Sequence, residues 1–148
     1  MTEPTDTTRR AVLSSVALSV AMLAGCVETR TRSKSGRADF DGWLSNADGY
    51  DGVVDATDRS LVTVTVGSNR GLSFDPVAVR VGVGTTVRWE WAGGGSAHNV
   101  AAGDGSFESA YHTERGAMFE RAFDEPGTVK YLCVPHEYAG MKGVVEVV

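Results

Sequence analysis

The sequence predicts an all-β sandwich over residues 39–148, and two observations carry that reading. Short runs alternate apolar and polar residues with the period of a strand that covers one face. Turn residues separate these runs, and no stretch sustains a helical period. The length of 148 residues suits one domain, and 18 Gly with only 4 Pro is not the balance of a low-complexity chain.

Taken in order, Phe40, Trp43 and Leu44 allow one amphipathic turn. Val62, Val64 and Val66 alternate with Thr63 and Thr65; Val77, Val79 and Val81 with Ala78 and Arg80; Val87, Trp89 and Trp91 with Arg88 and Glu90. Phe119 and Phe123 suggest a further strand, with Arg121 between them marking an edge. Val129, Tyr131 and Cys133 alternate with Thr128, Lys130 and Leu132, and Val145 and Val147 flank Glu146. Each run has one apolar face, so the expectation is antiparallel sheet with one wet side. Gly84 and the Pro126-Gly127 pair supply turn chemistry.

Residues 1–25 do not read as part of this fold. Arg9-Arg10 precedes an uncharged, mostly apolar run of 15 residues, 11–25, and then Cys26. A spanning helix needs about 20 apolar residues, so a basic start with a short apolar run reads as an export signal. The segment around Arg9 and Arg10 resembles a twin-arginine signal. Leu23-Ala24-Gly25-Cys26 resembles the lipobox of exported lipoproteins, in which Cys26 would carry the lipid anchor. Residues 26–38 then read as a tether, with Arg30, Arg32, Lys34 and Arg37 against Glu28 for a net charge of +3. The tether either stays solvated or lies along an anionic membrane surface.

The expected domain, residues 39–148, carries 16 acidic and 8 basic residues, a net charge of −8, and its only lysines are Lys130 and Lys142. Such a surface suits a very salty medium, although an ordinary acidic protein can share it. The whole chain is at −5, which argues against nucleic acid as a partner. With two Cys, a disulfide framework is excluded.

Chemistry concentrates in Cys133-Val134-Pro135-His136-Glu137-Tyr138-Ala139-Gly140-Met141, the connection between the last two expected strands. A loop fixed at both ends by sheet can aim a thiol, an imidazole and a thioether at one point. His98, beside Asn99 and preceded by Gly93-Gly94-Gly95, offers a second imidazole. Taken singly, Cys133 and Met141 would be core residues, and either His an ordinary polar one. Together, two imidazoles, one thiolate and one thioether describe a site for one copper ion cycling between Cu(I) and Cu(II). Zinc has little use for the thioether. His112 lacks partners at ligand spacing. A copper enzyme would need more histidines for another centre than the 3 present. A copper chaperone or storage lipoprotein is the alternative, but it would need exposed ligands and Met- or His-rich tracts. The domain offers only Met118 and Met141.

Residues 39–148 resemble the halocyanins, blue copper proteins of extreme halophiles, and more broadly the plastocyanin-like cupredoxins. The resemblance rests on Asp39-Phe40-Asp41-Gly42-Trp43, Tyr50-Asp51-Gly52-Val53-Val54-Asp55, Phe74-Asp75-Pro76, Thr86-Val87-Arg88-Trp89-Glu90-Trp91, Ala97-His98-Asn99-Val100, Gly105-Ser106-Phe107-Glu108-Ser109, Phe123-Asp124-Glu125-Pro126-Gly127-Thr128 and the Cys133 loop. It implies a Greek-key sandwich of about eight strands, with copper near one end. It implies that His98, Cys133 and His136 form a trigonal plane and that Met141 is a weak axial ligand. The backbone N–H of Asn99 would donate to the thiolate, whereas Pro135 has none to give. The edge of His136 would emerge through an apolar patch of Val134, Pro135, Tyr138, Ala139 and Gly140. A remote electron route is doubtful, because Leu132 precedes Cys133 and Tyr131 faces inward. The implied role is a monomeric one-electron carrier, lipid-anchored outside the cell membrane. It would exchange electrons with membrane redox proteins, without a small-molecule substrate or catalytic residues.

Overall fold

The computed structural model describes residues 34–148. The expected signal with Arg9 and Arg10, the lipid site Cys26 and most of the tether lie outside the described residues. Ten strands are present among the described residues: β1 (Lys34–Ser35), β2 (Val53–Ala56), β3 (Leu61–Ser68), β4 (Ser73–Asp75), β5 (Ala78–Val81), β6 (Thr85–Trp91), β7 (Ala101–Ala102), β8 (Met118–Phe123), β9 (Gly127–Leu132) and β10 (Lys142–Val147). Two short 3₁₀ stretches, Phe40–Gly42 and Val134–Ala139, are the helical elements among the described residues. The strands form a six-stranded sheet in the order β1-β2-β5-β10-β9-β7 and a four-stranded sheet in the order β4-β3-β6-β8.

Most residues that the alternation marks point inward, but Val77 instead joins Ala78 in a second cluster on the outer face. Val62, Val64, Val66, Val87, Trp89, Trp91, Tyr131, Cys133 and Val145 are all buried in one cluster between the sheets. Trp89 sits at its centre, edge-on to Tyr131 with ring centroids 5.3 Å apart. Each fully buried aliphatic or aromatic side chain of this kind contributes about 1.5–3 kcal/mol. β8 is an edge strand, as its Arg121 suggests, and the Arg121 guanidinium lies 4.8 Å from the Phe107 ring centroid. It covers the aromatic edge while staying in water.

Three expectations need correction. The sheets are mixed rather than antiparallel: β2 pairs with β5, β5 with β10 and β3 with β6 in parallel. Chain excursions through the opposite sheet bring together strands that run the same way. The outer face of the larger sheet is not wholly wet either. Val53, Ala78 and Val144 are buried there beneath Leu44 and Tyr50, in a second apolar cluster. Residues 38–50 form a strap across that face, its two ends joined where the Tyr50 hydroxyl donates to the Ala38 carbonyl at 2.7 Å. The expected tether also gains structure at its end, because Lys34 and Ser35 pair with Val54 and Val53.

Candidate metal centre

The ligand loop is local geometry before it is chemistry. β9 delivers Cys133 inward and fully buried. Pro135 near the start of the following 3₁₀ stretch suits a position whose N–H would be orphaned. Gly140 ends that stretch at φ 87°, a left-handed conformation glycine adopts without strain. Cys133 N–H donates to Met141 O at 3.0 Å, and Met141 N–H to His136 O at 3.2 Å, so the loop closes on itself. His98 comes from the opposite side, after Gly93, Gly94 and Gly95, all at positive φ.

These elements bring His98, Cys133 and His136 together, with their ligand atoms all within 4.8 Å of one another. The two Nδ1 atoms are 3.1 Å apart, and Cys133 Sγ lies 3.7 Å from His98 Nδ1 and 3.5 Å from His136 Nδ1. The point equidistant from these three atoms is about 2 Å from each, close to the bond lengths of a first-row ion with nitrogen and sulfur. The donor set of two imidazoles and one thiol therefore fits copper in both chemistry and size.

Burial sets the electrostatics. His98 is 3% exposed, and burial, followed by repulsion from His136, holds its imidazole below the usual histidine range. Burial pushes the Cys133 thiol up, while the backbone N–H groups of Asn99 and His136 pull it down by favouring the thiolate. The His136 N–H donates to the Cys133 carbonyl at 3.1 Å, and Pro135 has no N–H to give.

The side chain of Asn99 adds a role that spacing alone does not reveal. It accepts from Val134 N–H at 2.9 Å and donates to Glu108 at 3.0 Å, tying the ligand loop to the neighbouring segment. His112 is not in the cluster. Its backbone forms a two-way bridge with His98, both bonds 3.0 Å, and its ring meets Trp91 edge-on at 5.0 Å. Trp91 in turn donates from Nε1 to His98 O at 3.1 Å. The backbone of His98 is therefore held from two sides by residues with no ligand pattern of their own.

Met141 is fully buried in the same cluster as Cys133. Val134, Pro135, Tyr138 and Ala139 are exposed, and Tyr138 is 97% exposed. Gly140 is not part of that patch: it is buried against Asn46 and Ala47. Tyr131 is fully buried, as its inward phase requires.

A two-sheet sandwich with a buried cysteine and two histidines at one end of its strands defines the blue copper class, the cupredoxins. The chain belongs to the plastocyanin/azurin family of copper-binding proteins, whose profile matches residues 60–148. It is 42% identical to halocyanin of Natronomonas pharaonis, across 93% of this chain and 94% of that protein. It is 34% identical to plastocyanin of Scenedesmus fuscus, across 58% of this chain and 98% of that protein. Among solved structures it resembles the oxidised plastocyanin of Dryopteris crassirhizoma, with a TM-score of 0.52 and 25% identity, covering 59% of this chain and all of that one. The protein is a blue copper electron carrier and not an enzyme. His98, Cys133 and His136 form the candidate copper site, and copper held there would supply one-electron exchange between Cu(I) and Cu(II).

Proposed function

We propose that this carrier is exported by the signal at 1–25, lipidated at Cys26 and tethered through residues 26–38, with residues 39–148 as the working domain. It acts as a monomer at the outer face of the cell membrane and passes single electrons between membrane redox proteins. The observation that carries the electron-transfer reading is the contrast within the ligand set. His98 and Cys133 are buried, whereas His136 is half-buried next to the exposed Val134, Pro135, Tyr138 and Ala139. One imidazole edge in an apolar surround lets a partner approach closely without opening the site to water. Met141 is the proposed axial ligand, with Asn99 and Pro135 setting the donors around the sulfur. Buried ligands disfavour the chaperone and storage readings, which need exchange of the ion. No helix among the described residues is long and apolar enough to cross a membrane.

The purified chain, loaded with Cu(II) in high salt, should show an intense blue thiolate-to-copper band and narrow copper hyperfine splitting. Cys133→Ser should abolish both, and Met141→Gln should change the spectrum without abolishing it. A pale tetragonal copper spectrum in the parent protein would overturn the ligand assignment. For the anchor, Cys26→Ser should move the protein from the membrane fraction to the soluble one, and an unchanged distribution would rule out lipid attachment there.

A further inference from the structure

The strap at residues 38–50 grips the backbone on both sides of Met141. Gly140 packs so tightly against it that a Cβ there would overlap the Asn46 carbonyl oxygen and lie 2.9 Å from its carbon. Lys142 Nζ donates to Asn46 Oδ1 at 3.3 Å and lies 4.9 Å from the centroid of a Trp43 ring. Trp43 Nε1 donates to Gly143 O at 3.1 Å. Val144 shares the second apolar cluster with Leu44 and Tyr50. Gly140, Lys142, Gly143 and Val144 thus all meet the strap on the outer face, while Met141 lies in the inner core. The strap lies before residue 60, where the copper-binding family profile begins.

We propose that the strap is a positioning device for Met141, acting through Gly140 and Lys142–Val144 to set the depth at which the thioether approaches the metal. Asn46, Trp43 and Leu44 are positioning residues, since none of them lies among the ligands. The inference rests on the reading of Met141 as axial ligand. A residue between a glycine turn and the first position of a strand has little rigidity of its own. A wall on the outer face removes the movement that would let the Met141 backbone drift away from the metal.

The test compares Trp43→Phe, which deletes the indole donor to Gly143, and Leu44→Ala with Val62→Ala, a core truncation on the inner face of β3. Each is made in the full chain and measured where it is fully folded. In copper-free protein, the amide of Met141 should exchange with solvent at least about ten-fold faster in the two strap variants than in Val62→Ala of matched stability. In copper-loaded protein, the strap variants should change the ratio of the two visible thiolate bands and the reduction potential, while Val62→Ala should leave both at the parent values. Strap variants that lose stability but keep the parent spectrum, potential and Met141 exchange would reduce the strap to a simple brace and overturn the proposal. Met141→Gln separates the two readings. If it leaves the spectrum unchanged, the axial assignment has failed. If it changes the spectrum and the strap variants do not, the strap proposal alone has failed.

Discussion

His98 shows how far a single residue carries the electrostatics. Its buried imidazole is held below the usual range, first by desolvation and then by His136, so the unfolded chain takes up the proton more readily than the folded one. A depressed pKa of this kind leaves stability intact above the unperturbed value, about 6.5, and erodes it as pH falls below that. The copper-free protein should accordingly show a lower urea midpoint at about pH 5.5 than at about pH 7.5, and His98→Gln should flatten the difference. Asn99→Ala should be costly because the Val134 N–H and Glu108 both lose their partner. Val134 and Glu108 are exposed, so water can replace the lost partner and each bond contributes about 0.5–1.5 kcal/mol, read as a lower Tm in thermal unfolding. At Pro135, replacement by Ala adds an N–H beside the sulfur. A donor to the thiolate favours the reduced ion, so the potential should rise. With a charge-assisted bond contributing about 1.5 kcal/mol, the shift is about 60 mV in voltammetry. An unchanged or lower potential would overturn this reading of Pro135.

At the level of elements, β9 and β10 do two jobs at once. Their antiparallel pairing sets Leu132 opposite Lys142 and Tyr131 opposite Gly143. That register fixes the two ends of the ligand loop. Gly143 is glycine because the Tyr131 ring occupies the space where its Cβ would lie. Gly143→Ala would force either the ring or the strand to move. Overpacking of a rigid core usually costs about 1–3 kcal/mol, and with no room on the strand the upper end is expected in denaturant titration. A near-parent midpoint would mean that Tyr131 can swing aside.

For the whole molecule, charge dominates. Arg80, Arg88 and Lys130 pair with Glu146, Glu120 and Asp41, but residues 39–148 hold twice as many acidic as basic groups. Self-repulsion of this kind fades as the screening length drops to about 3 Å near 1 M salt. The thermal midpoint should therefore climb steadily between low and molar salt, and a flat response would rule out the salty-medium reading of the surface.

Much of the inner architecture was legible in the chain itself. Alternation named the inward faces of β3, β6, β9 and β10, because side chains on a strand obey a period of two wherever one face is dry. The Cys133, His136 and Met141 spacing, with His98 upstream, pointed to copper because few other ions want that donor set. What stayed hidden depended on contacts between distant segments. Parallel pairing of β2, β5 and β10 follows from the route of the chain between sheets, which no local period records. The burial of Gly140 and the second apolar cluster come from the strap, whose single turn of apolar residues does not say which face it will cover. The clamps on His98 and the loop, from His112, Trp91 and Asn99, are backbone, indole and amide bonds between separate segments. Sequence determined which residues could bind the metal. Tertiary structure alone decided which backbone atoms hold them still, because hydrogen-bond partners far apart in the chain leave no pattern along it.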